Sequence, residues 1–494
     1  MRRELLLAIP MSLSLIGYAQ ERPNIIWLMA EDISTDIECY GMNAVKTPEL
    51  NKLADNGIKF TNAFCTNSIC SPSRSAMLTG VFQCKINAHH HRSNRDIPLG
   101  KPYQPFTKIL RDNGYTCILG SSLVMGNGRK TDVNFKHTPT GNWDGINNFG
   151  LFDKLDEITV ADQPFFAQIQ LQVTHRGDWW DEIREKSKKP VNPDDVALPP
   201  YMSDHPVIRL DWAKYLDQIE YMDNEVGAII QDLKNKGIYE NTVIIFIGDN
   251  GRANIRGKGY LFDPGLHVPF IMSWSGGIQP GQVRTDLIST VDITATILDL
   301  AKVKIPEFMD GRSVLRSDFS REFVYSSRDL WDEIMEKSRS ITTLKYKYIA
   351  HQLPEVPYDS HQAYLEFYRP AVHVMRKLKW EGKLNADQSF FFASHKPAEE
   401  LYDGVLDPHE LNNLAKNPQY ASVLSELRKK LIKADQDAVS FEQVYQPDIP
   451  AAVELLDWVK YMHNDAYLEM LNGKEIGFQK YSKMFKEKFE VTSE

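Results

Sequence analysis

Three short segments of nearly continuous apolar residues set the strongest limit on how this 494-residue chain folds. They run from Asn24 to Ala30, from Phe165 to Val173 and from Thr242 to Ile247, and each has the length of one strand. Two further segments, Asp211 to Lys236 and Asp292 to Ala301, carry apolar residues at helical spacing. Buried strands that alternate with amphipathic helices are typical of an α/β fold with a mostly parallel central sheet flanked by helices.

The character of the sequence changes after Ser317, where charged and aromatic residues mix. The predicted elements beyond that point are short antiparallel strands at Phe323–Ser326 and Lys345–Ile349, and helices at Tyr420–Val439 and Ala451–Met470. We therefore predict a large domain over residues 20–317. A smaller C-terminal domain with an antiparallel sheet, helices and a helical tail would cover residues 318–494.

The first residues predict a signal peptide over residues 1–19. Arg2 and Arg3 precede an apolar run from Leu5 to Ile16, and Gly17-Tyr18-Ala19 is typical of a cleavage site. We expect a secreted or periplasmic bacterial protein without a membrane span, because the apolar run is shorter than a span requires. The net charge of −9 argues against a nucleic-acid partner. A negatively charged substrate would need a local basic pocket.

Polar side chains follow the apolar segments at the points where the strands are predicted to end. Glu31 and Asp32 follow the first segment, His175 follows the second, and Asp249 and Asn250 follow the third. Because ligands of open α/β sheets bind at the carboxyl ends of the strands, we expect these residues to converge. Carboxylate and amide oxygens suit Ca²⁺ or Mg²⁺ better than zinc. A turn or helix cap is the alternative for either acidic pair alone.

Cys70 lies where a helix is predicted to begin. Pro72 suits the first helical turn, Gly80 suits the end of the helix, and Arg74 lies one turn further in. The backbone N–H groups at such a helix start form an anion site. The five cysteines are an odd number in a chain predicted to be secreted, so at least one thiol is unpaired. A small buried apolar side chain is the alternative for Cys70.

The run Cys70-Ser71-Pro72-Ser73-Arg74, with Leu78-Thr79-Gly80 beyond it, resembles the motif of the formylglycine-dependent, cysteine-type sulfatases. The segments that agree with this family are Glu31-Asp32, Gly248 to Gly251, Arg256 to Gly259, Asp292 to Ala301, Met309 to Ser313 and Glu400 to Leu414. The resemblance spans roughly residues 22 to 415 and implies an alkaline-phosphatase-like large domain.

The resemblance implies that a maturation enzyme oxidises Cys70 to formylglycine, an aldehyde. A serine that attacked sulfur would remain as a stable sulfate ester. A hydrated aldehyde carries two hydroxyl groups on one carbon, so that one attacks and the other then drives the elimination of sulfate. This formylglycine-generating maturation enzyme is the protein partner that the resemblance implies.

The resemblance also implies roles for individual residues. The Ca²⁺ ligands would be Glu31, Asp32, Asp249, Asn250 and residue 70. Arg74 would stabilise the hydrated aldehyde, Lys130 and Lys258 would contact sulfate, and His175 would donate a proton to the leaving atom.

The chain departs from the family pattern at one position. Asp132 stands where many sulfatases carry a histidine, two residues after the sulfate-contacting Lys130. Either Asp132 binds substrate hydroxyls or another histidine takes the missing role, and the run from Ala88 to Ser93 offers His90 and His91. A solvated polar loop is the alternative for that run.

The predicted substrate is a sulfated saccharide. The motifs most resemble those of carbohydrate sulfatases, including members similar to heparan N-sulfatase. Four residues of the C-terminal domain are candidate contacts to sugar hydroxyls or carboxylates, with a surface charge cluster as the alternative: Arg328, Asp332, Glu333 and Arg339. We expect exo action on a terminal sugar, because the acidic chain lacks the charge for a long cationic groove. The alternatives are a phosphodiesterase or phosphonate monoester hydrolase of the same superfamily, and a non-catalytic glycan-binding relative in which Cys70 stays a thiol.

Overall fold

A computed structural model describes residues 22–121, 129–177, 179–332, 334–438, 460–472 and 474. The predicted signal peptide lies outside the described residues, as does the predicted C-terminal helix from Ala451 up to residue 459. Within the described part of the chain, none of the helices has the length and apolar character that crossing a membrane requires.

Eight strands form one sheet in the order β10-β2-β9-β8-β1-β7-β3-β6, and four form a second sheet in the order β11-β12-β13-β14. The strands are β1 Asn24–Ala30, β2 Gly57–Phe64, β3 Thr116–Ser121, β4 Thr138–Thr140, β5 Gly150–Phe152, β6 Lys154–Leu155, β7 Phe165–Leu171, β8 Thr242–Gly248, β9 His267–Ser273, β10 Gln282–Ser289, β11 Val324–Trp331, β12 Ile334–Thr342, β13 Tyr346–His351 and β14 Glu399–Asp403.

Twelve α-helices lie within the described residues. They are α1 Pro48–Asp55, α2 Cys70–Thr79, α3 Phe106–Asp112, α4 Trp179–Lys186, α5 Pro206–Asn235, α6 Asp263–Leu266, α7 Val291–Leu300, α8 Ala363–Tyr368, α9 Pro370–Trp380, α10 Ala386–Ser389, α11 Ala421–Ala438 and α12 Asn464–Leu471. The predicted α/β class is confirmed, because the large sheet is parallel except where β9 pairs with β2 and β8.

Strand β1 lies at the centre of the large sheet and pairs in parallel with both β7 and β8. Its last residue, Ala30, is in register with Leu171 on one side and Gly248 on the other. All residues of the three strands are buried, which is why each reads as an apolar run. The matched register brings the residues after the three strands to one edge of the sheet.

Helix α5 begins earlier than its apolar periodicity predicts. It starts at Pro206 rather than Asp211, because Pro206 fits the first helical position and the His205 side chain accepts a hydrogen bond from the Val207 N–H. The histidine cap and the proline supply a helix start that periodicity alone does not reveal.

The smaller antiparallel sheet packs beside the large one. It begins at Val324, and the predicted domain division after residue 317 stays a prediction. Lys347 on β13 forms ion pairs with Asp263 of α6 and with Glu410, the latter at 3.0 Å, so the buried Lys347 links the smaller sheet to a helix that precedes β9. The antiparallel pairing of β11 through β14 confirms the predicted sheet type.

Candidate active site

The acidic residues that follow β1 and β8 meet at the carboxyl edge of the large sheet. Glu31, Asp32, Asp249 and Asn250 are all fully buried. The Asp249 carboxylate accepts hydrogen bonds from the backbone N–H of Asp32 at 3.0 Å and of Asn250 at 2.8 Å. The Asn250 amide donates to Asp32 Oδ1 at 3.0 Å. The two pairs that the sequence places 217 residues apart therefore form one cluster.

Cys70 is the first residue of α2 and faces this cluster. Ile69 before it is extended, and Gly80 ends the helix with a φ of 69°, as predicted from the sequence. Every residue of α2 is buried. Ser73 Oγ donates to the Asp249 carbonyl at 2.6 Å, which ties the first turn of α2 to the end of β8.

Arg74 neutralises the acidic cluster from inside α2. Its Nε donates to Asp249 Oδ2 at 2.9 Å, and its Nη1 donates to Gln170 Oε1 at 2.7 Å. Glu31 Oε1 lies 3.9 Å from Nη2. A guanidinium that is buried and fixed on three sides keeps one orientation, so it presents a preset positive charge next to residue 70.

Two lysines add positive charge to the cluster. Lys258 Nζ donates to both oxygens of Asp32, at 2.7 and 3.0 Å, and Lys130 Nζ donates to Glu31 Oε2 at 2.6 Å. Burial favours a raised pKa for Asp32, but Lys258 outweighs it and lowers that pKa. Burial, helped by the negative charges of Glu31 and Asp32, raises the pKa of Asp249, and Arg74 offsets only part of this effect. Three buried carboxylates are thus balanced by three nearby cations.

The carboxylate and amide oxygens fit a hard divalent cation. Glu31 Oε1 and Asn250 Oδ1 are buried without a hydrogen-bond partner, although buried polar atoms are normally paired. Both atoms belong to residues predicted from the sequence as metal ligands. Carboxylate and amide oxygens with spare acceptor capacity form the donor set that calcium prefers.

A second group of ligand-capable side chains lies outside this cluster. Side-chain atoms of Asp359, His361 and Glu366 lie within 4.8 Å of one another. Arg376 donates to both carboxylates of this group, with distances between 2.6 and 3.2 Å. The Arg376 guanidinium already neutralises the carboxylates of Asp359 and Glu366, so we interpret this group as a structural ion-pair cluster.

His91 reaches Cys70 from the loop after α2. Its Nε2 lies 3.7 Å from Cys70 Sγ, and its Nδ1 lies 2.7 Å from Asp332 Oδ1. Gln362 donates to the other Asp332 oxygen at 2.9 Å. Burial favours a lowered pKa for His91, but the Asp332 carboxylate outweighs it and raises that pKa to about 9. The imidazole next to residue 70 is therefore charged at neutral pH.

Asp132 lies among three cations. It pairs with Arg95, lies 3.5 Å from Lys130 Nζ, and lies 3.9 Å from Arg92 Nε. Lys130 and Arg92 lower its pKa well below the usual range despite burial. Asp132 therefore carries a fixed negative charge and organises the cations around it.

His175 lies beside the acidic cluster on the segment that follows β7. Its Nε2 is 4.0 Å from Asp32 Oδ2, and its Nδ1 is 3.0 Å from the Arg176 carbonyl. The Tyr364 ring lies 6.2 Å from the His175 ring and 5.3 Å from Lys258 Nζ. Burial lowers the pKa of His175 to about 3, with Lys258 acting in the same direction and Asp32 against it.

Two residues predicted to bind substrate are placed elsewhere. His90 Nδ1 accepts a hydrogen bond from the Leu330 N–H at 3.3 Å, and burial lowers the pKa of His90 to about 4. Arg328 is buried against Glu336 and the Tyr260 ring. Strand β11 is buried along its whole length and this guanidinium pairs inside the smaller sheet, and the assignment of Arg328 to the substrate stays a prediction.

Several residues of the cluster have only a weak sequence signal or none. Gln170 was signalled only by a polar residue inside the otherwise apolar strand β7. Asp332 was one of several charges in a mixed segment, and its pairing with His91 was not predicted. Four non-glycine residues around Cys70 adopt positive φ angles, namely Asp32, Arg92, Asp132 and Asp332. Such backbone strain gathers at functional sites and leaves no simple sequence pattern.

Comparisons with protein families agree with the site. A family model described as sulfatase matches residues 23–303, and one described as N-sulphoglucosamine sulphohydrolase, C-terminal, matches residues 251–359. An ulvan-active sulfatase of Formosa agariphila is 32% identical over 83% of this chain and 74% of its own length. The human N-sulphoglucosamine sulphohydrolase is 27% identical over 85% of this chain and 91% of its own length.

Solved structures show the same fold at low sequence identity. A protein described as a 2-O GAG sulfatase has a TM-score of 0.60 and 17% identity, covering 87% of this chain and 96% of its own. A phosphonate monoester hydrolase of Agrobacterium radiobacter has a TM-score of 0.59 and 16% identity. The match covers 86% of this chain and 98% of the hydrolase chain. The fold alone therefore does not distinguish sulfate from phosphonate chemistry.

The segment that carries Lys258 packs directly on the strand end that carries Asp332. Gly259 has a φ of 89°, and a Cβ there would overlap the Trp331 ring. We expect Gly259→Ala to lower the free energy of unfolding by about 1–3 kcal/mol beyond the backbone strain, because Trp331 must move. The matched control is Gly237→Ala, which has a φ of 67° and open space around it and so carries only the backbone strain of about 1 kcal/mol. Urea unfolding of both variants measures the difference, and equal losses would contradict the packing argument.

Proposed function

This chain belongs to the sulfatase family, and from that premise we propose that it removes sulfate from a terminal sugar of a sulfated glycan by exo action. It is a hydrolase of sulfuric esters. The observation that supports the proposal most directly is the set of groups around Cys70. Arg74, Lys130, Lys258 and His91 place four cations around one helix N-terminus, in a chain whose net charge is negative.

Saccharide substrates are supported by the relatives. The ulvan-active and N-sulphoglucosamine enzymes are named for polysaccharide or sugar substrates, and this chain aligns with most of the length of both. A solved structure in complex with its substrate D-glucosamine-2-N,6-O-disulfate shares the fold, with a TM-score of 0.57. We propose that this chain acts on a sulfate ester or an N-sulfo group of a comparable sugar.

The residues around Cys70 fit a formylglycine made from that residue by a maturation enzyme. A hydrated formylglycine supplies one hydroxyl that attacks sulfur and a second that drives the release of sulfate. Arg74, held by Asp249 and Gln170, orients and stabilises charge at that residue. Lys130 and Lys258 hold the sulfate oxygens, because their ammonium groups bind the carboxylates of Glu31 and Asp32 beside residue 70.

We propose Ca²⁺ as the metal, held by Glu31, Asp32, Asp249, Asn250 and residue 70. The ion would polarise sulfate oxygens and favour ionisation of the attacking hydroxyl. The partnerless oxygens of Glu31 and Asn250 support this proposal. In the same proposal the chain is secreted or periplasmic in a bacterium, supported by the sequence before residue 20 and by its bacterial relatives.

Two histidines divide the proton transfers in this proposal. His91 replaces the histidine that the family carries where this chain has Asp132, and it exchanges a proton with residue 70 while Asp332 holds its other nitrogen. His175 donates to the leaving oxygen or nitrogen. Its pKa is low in the free protein, and a bound sulfate, being negative, raises the pKa of an adjacent imidazole.

A phosphoester or phosphonate hydrolase is the second candidate, and the shared fold of the phosphonate monoester hydrolase favours keeping it. A non-catalytic glycan-binding protein is the third, and it requires an unconverted Cys70. The motif around Cys70 and the sulfatase relatives favour the first candidate.

Sulfate release from sulfated saccharides tests the function. We expect protein made together with a formylglycine-generating enzyme to release sulfate from at least one member of a panel with N-, 2-O-, 3-O-, 4-O- and 6-O-sulfated sugars. Cys70→Ala should release none, because it lacks the nucleophile. Mass spectrometry of the tryptic peptide Phe60–Arg74 reports conversion, with Cys65 as an internal control. Converted protein that cleaves a phosphonate monoester but no sulfate would favour the second candidate, and slow release from chain ends beside fast internal release would exclude exo action.

The two histidines should respond differently to the leaving group. We expect His175→Gln to lower kcat/KM for a sugar sulfate by about 100- to 10,000-fold but to spare an aryl sulfate, whose phenolate leaves without a proton. His91→Gln should lower kcat/KM for both substrates by similar factors, because it acts on residue 70. The exposed His395 offers a matched control in His395→Gln. A His91→Gln enzyme that keeps full activity on the aryl sulfate would refute this division.

Calcium should raise thermal stability through the Glu31 cluster. We expect the Tm in EGTA to be lower than the Tm in excess CaCl₂, because an ion that binds only the folded state stabilises it. Glu31→Gln should abolish most of this shift. His361→Gln, in the cluster with Asp359 and Glu366, should retain it. A shift that survives Glu31→Gln and disappears in His361→Gln would move the metal site to the second cluster.

A further inference from the structure

The loop between α2 and α3 carries two arginines whose charge the site described above does not use. Arg92 and Arg95 are 53% and 42% exposed, whereas Arg74 is buried and paired. The two arginines flank Asp132, which pairs with Arg95 and lies 3.9 Å from Arg92 Nε. One carboxylate thus faces two guanidinium groups, and Lys130 adds a third cation at 3.5 Å.

Arg92 lies close to residue 70, the proposed reacting residue. Its backbone N–H donates to Ser71 Oγ at 3.0 Å, one residue after Cys70. Arg92 follows His91, which contacts Cys70, and the negative charges of residue 70, Asp132 and Asp332 outweigh desolvation and raise the pKa of Arg92. The guanidinium is therefore close to the sulfate site but is neither buried in it nor held by a short ion pair.

The loop is held in one shape by side-chain bonds to the backbone. Asn134 donates to the carbonyls of Ala88 and His90 at 2.8 and 2.7 Å, and Ser93 Oγ donates to the His90 carbonyl at 2.8 Å. Arg92 itself has a φ of 53°. Because these hydrogen bonds already fix the backbone of the loop, its arginines lose little conformational entropy when a ligand binds.

We propose that Arg92 and Arg95 form a second anion subsite, so that the preferred substrate carries a carboxylate or a further sulfate beside the sulfate that is removed. This rests on the proposed function and narrows its substrate class. Guanidinium groups bind the oxygens of both anions through paired hydrogen bonds. The positive charges around Asp132 outnumber its single negative charge, so they attract a second anionic group of the substrate. A neutral sugar would not interact with these charges.

The test compares three saccharides with the same scissile sulfate, chosen at the position that the panel identifies, or at the 6-O position if the panel identifies none. One has no other anionic group, one carries a neighbouring uronate, and one carries a second sulfate. We expect the wild-type protein to prefer the anionic saccharides. Arg92→Gln and Arg95→Gln should lower kcat/KM for these saccharides by about 10- to 100-fold more than for the neutral one. Arg428→Gln, 46% exposed and paired with Glu399, is the matched control and should leave the ratio unchanged.

Calorimetry of the same saccharides with Cys70→Ala, alone and combined with Arg95→Gln, measures the subsite without turnover. A loss confined to the uronate assigns a carboxylate, and a loss confined to the disulfate assigns a sulfate. The proposal is overturned if the wild-type protein shows no preference, if both arginine variants keep the wild-type ratio, or if no anionic saccharide binds the Cys70→Ala protein more tightly than the neutral one. Absence of sulfate release from every saccharide would count against the proposed function, while the calorimetry still decides the subsite.

Discussion

Burial of like charges at one edge of the large sheet is the constraint on which the rest of this structure depends. The parallel register of β1 with β8 places Glu31, Asp32 and Asp249 together without exposure to water. Carboxylates in this position repel one another and lose their hydration, so they persist only beside compensating cations. Arg74 from α2 and the lysines at 130 and 258 meet that need. In the proposed function, the same cluster would hold both a divalent cation and a sulfate.

The smaller sheet completes the site. Strand β11 ends at Trp331, whose ring packs against Gly259, and the next residue, Asp332, holds His91 beside Cys70. Lys347 links the same sheet to Asp263 of the helix that precedes β9 and to Glu410. The chemistry of the large sheet therefore depends on a side chain from the small one, and a shift between the sheets would displace His91.

Asp132 occupies the position where the family pattern has a histidine, and its contacts differ from those of His91. His91 brings an imidazole to within 3.7 Å of Cys70 Sγ from another loop, while the Asp132 carboxylate gathers Arg92, Arg95 and Lys130 around it. In the proposed function, this arrangement supplies a proton-transfer group at residue 70 and positive charge beside the sulfate.

The sequence by itself determined the central strands, helix α2 with its cysteine, the acidic pairs and the family. These follow from local patterns: buried parallel strands are apolar throughout, and a helix start or a motif occupies consecutive residues. Tertiary structure decided the partner of His91, which lies 241 residues away, the grouping of Arg92 with Arg95 and Asp132, and the burial of Arg328. Side chains so distant along the chain meet only through strand order and packing. A charged residue in a strand covered on both faces reads as exposed until the layer above it is known.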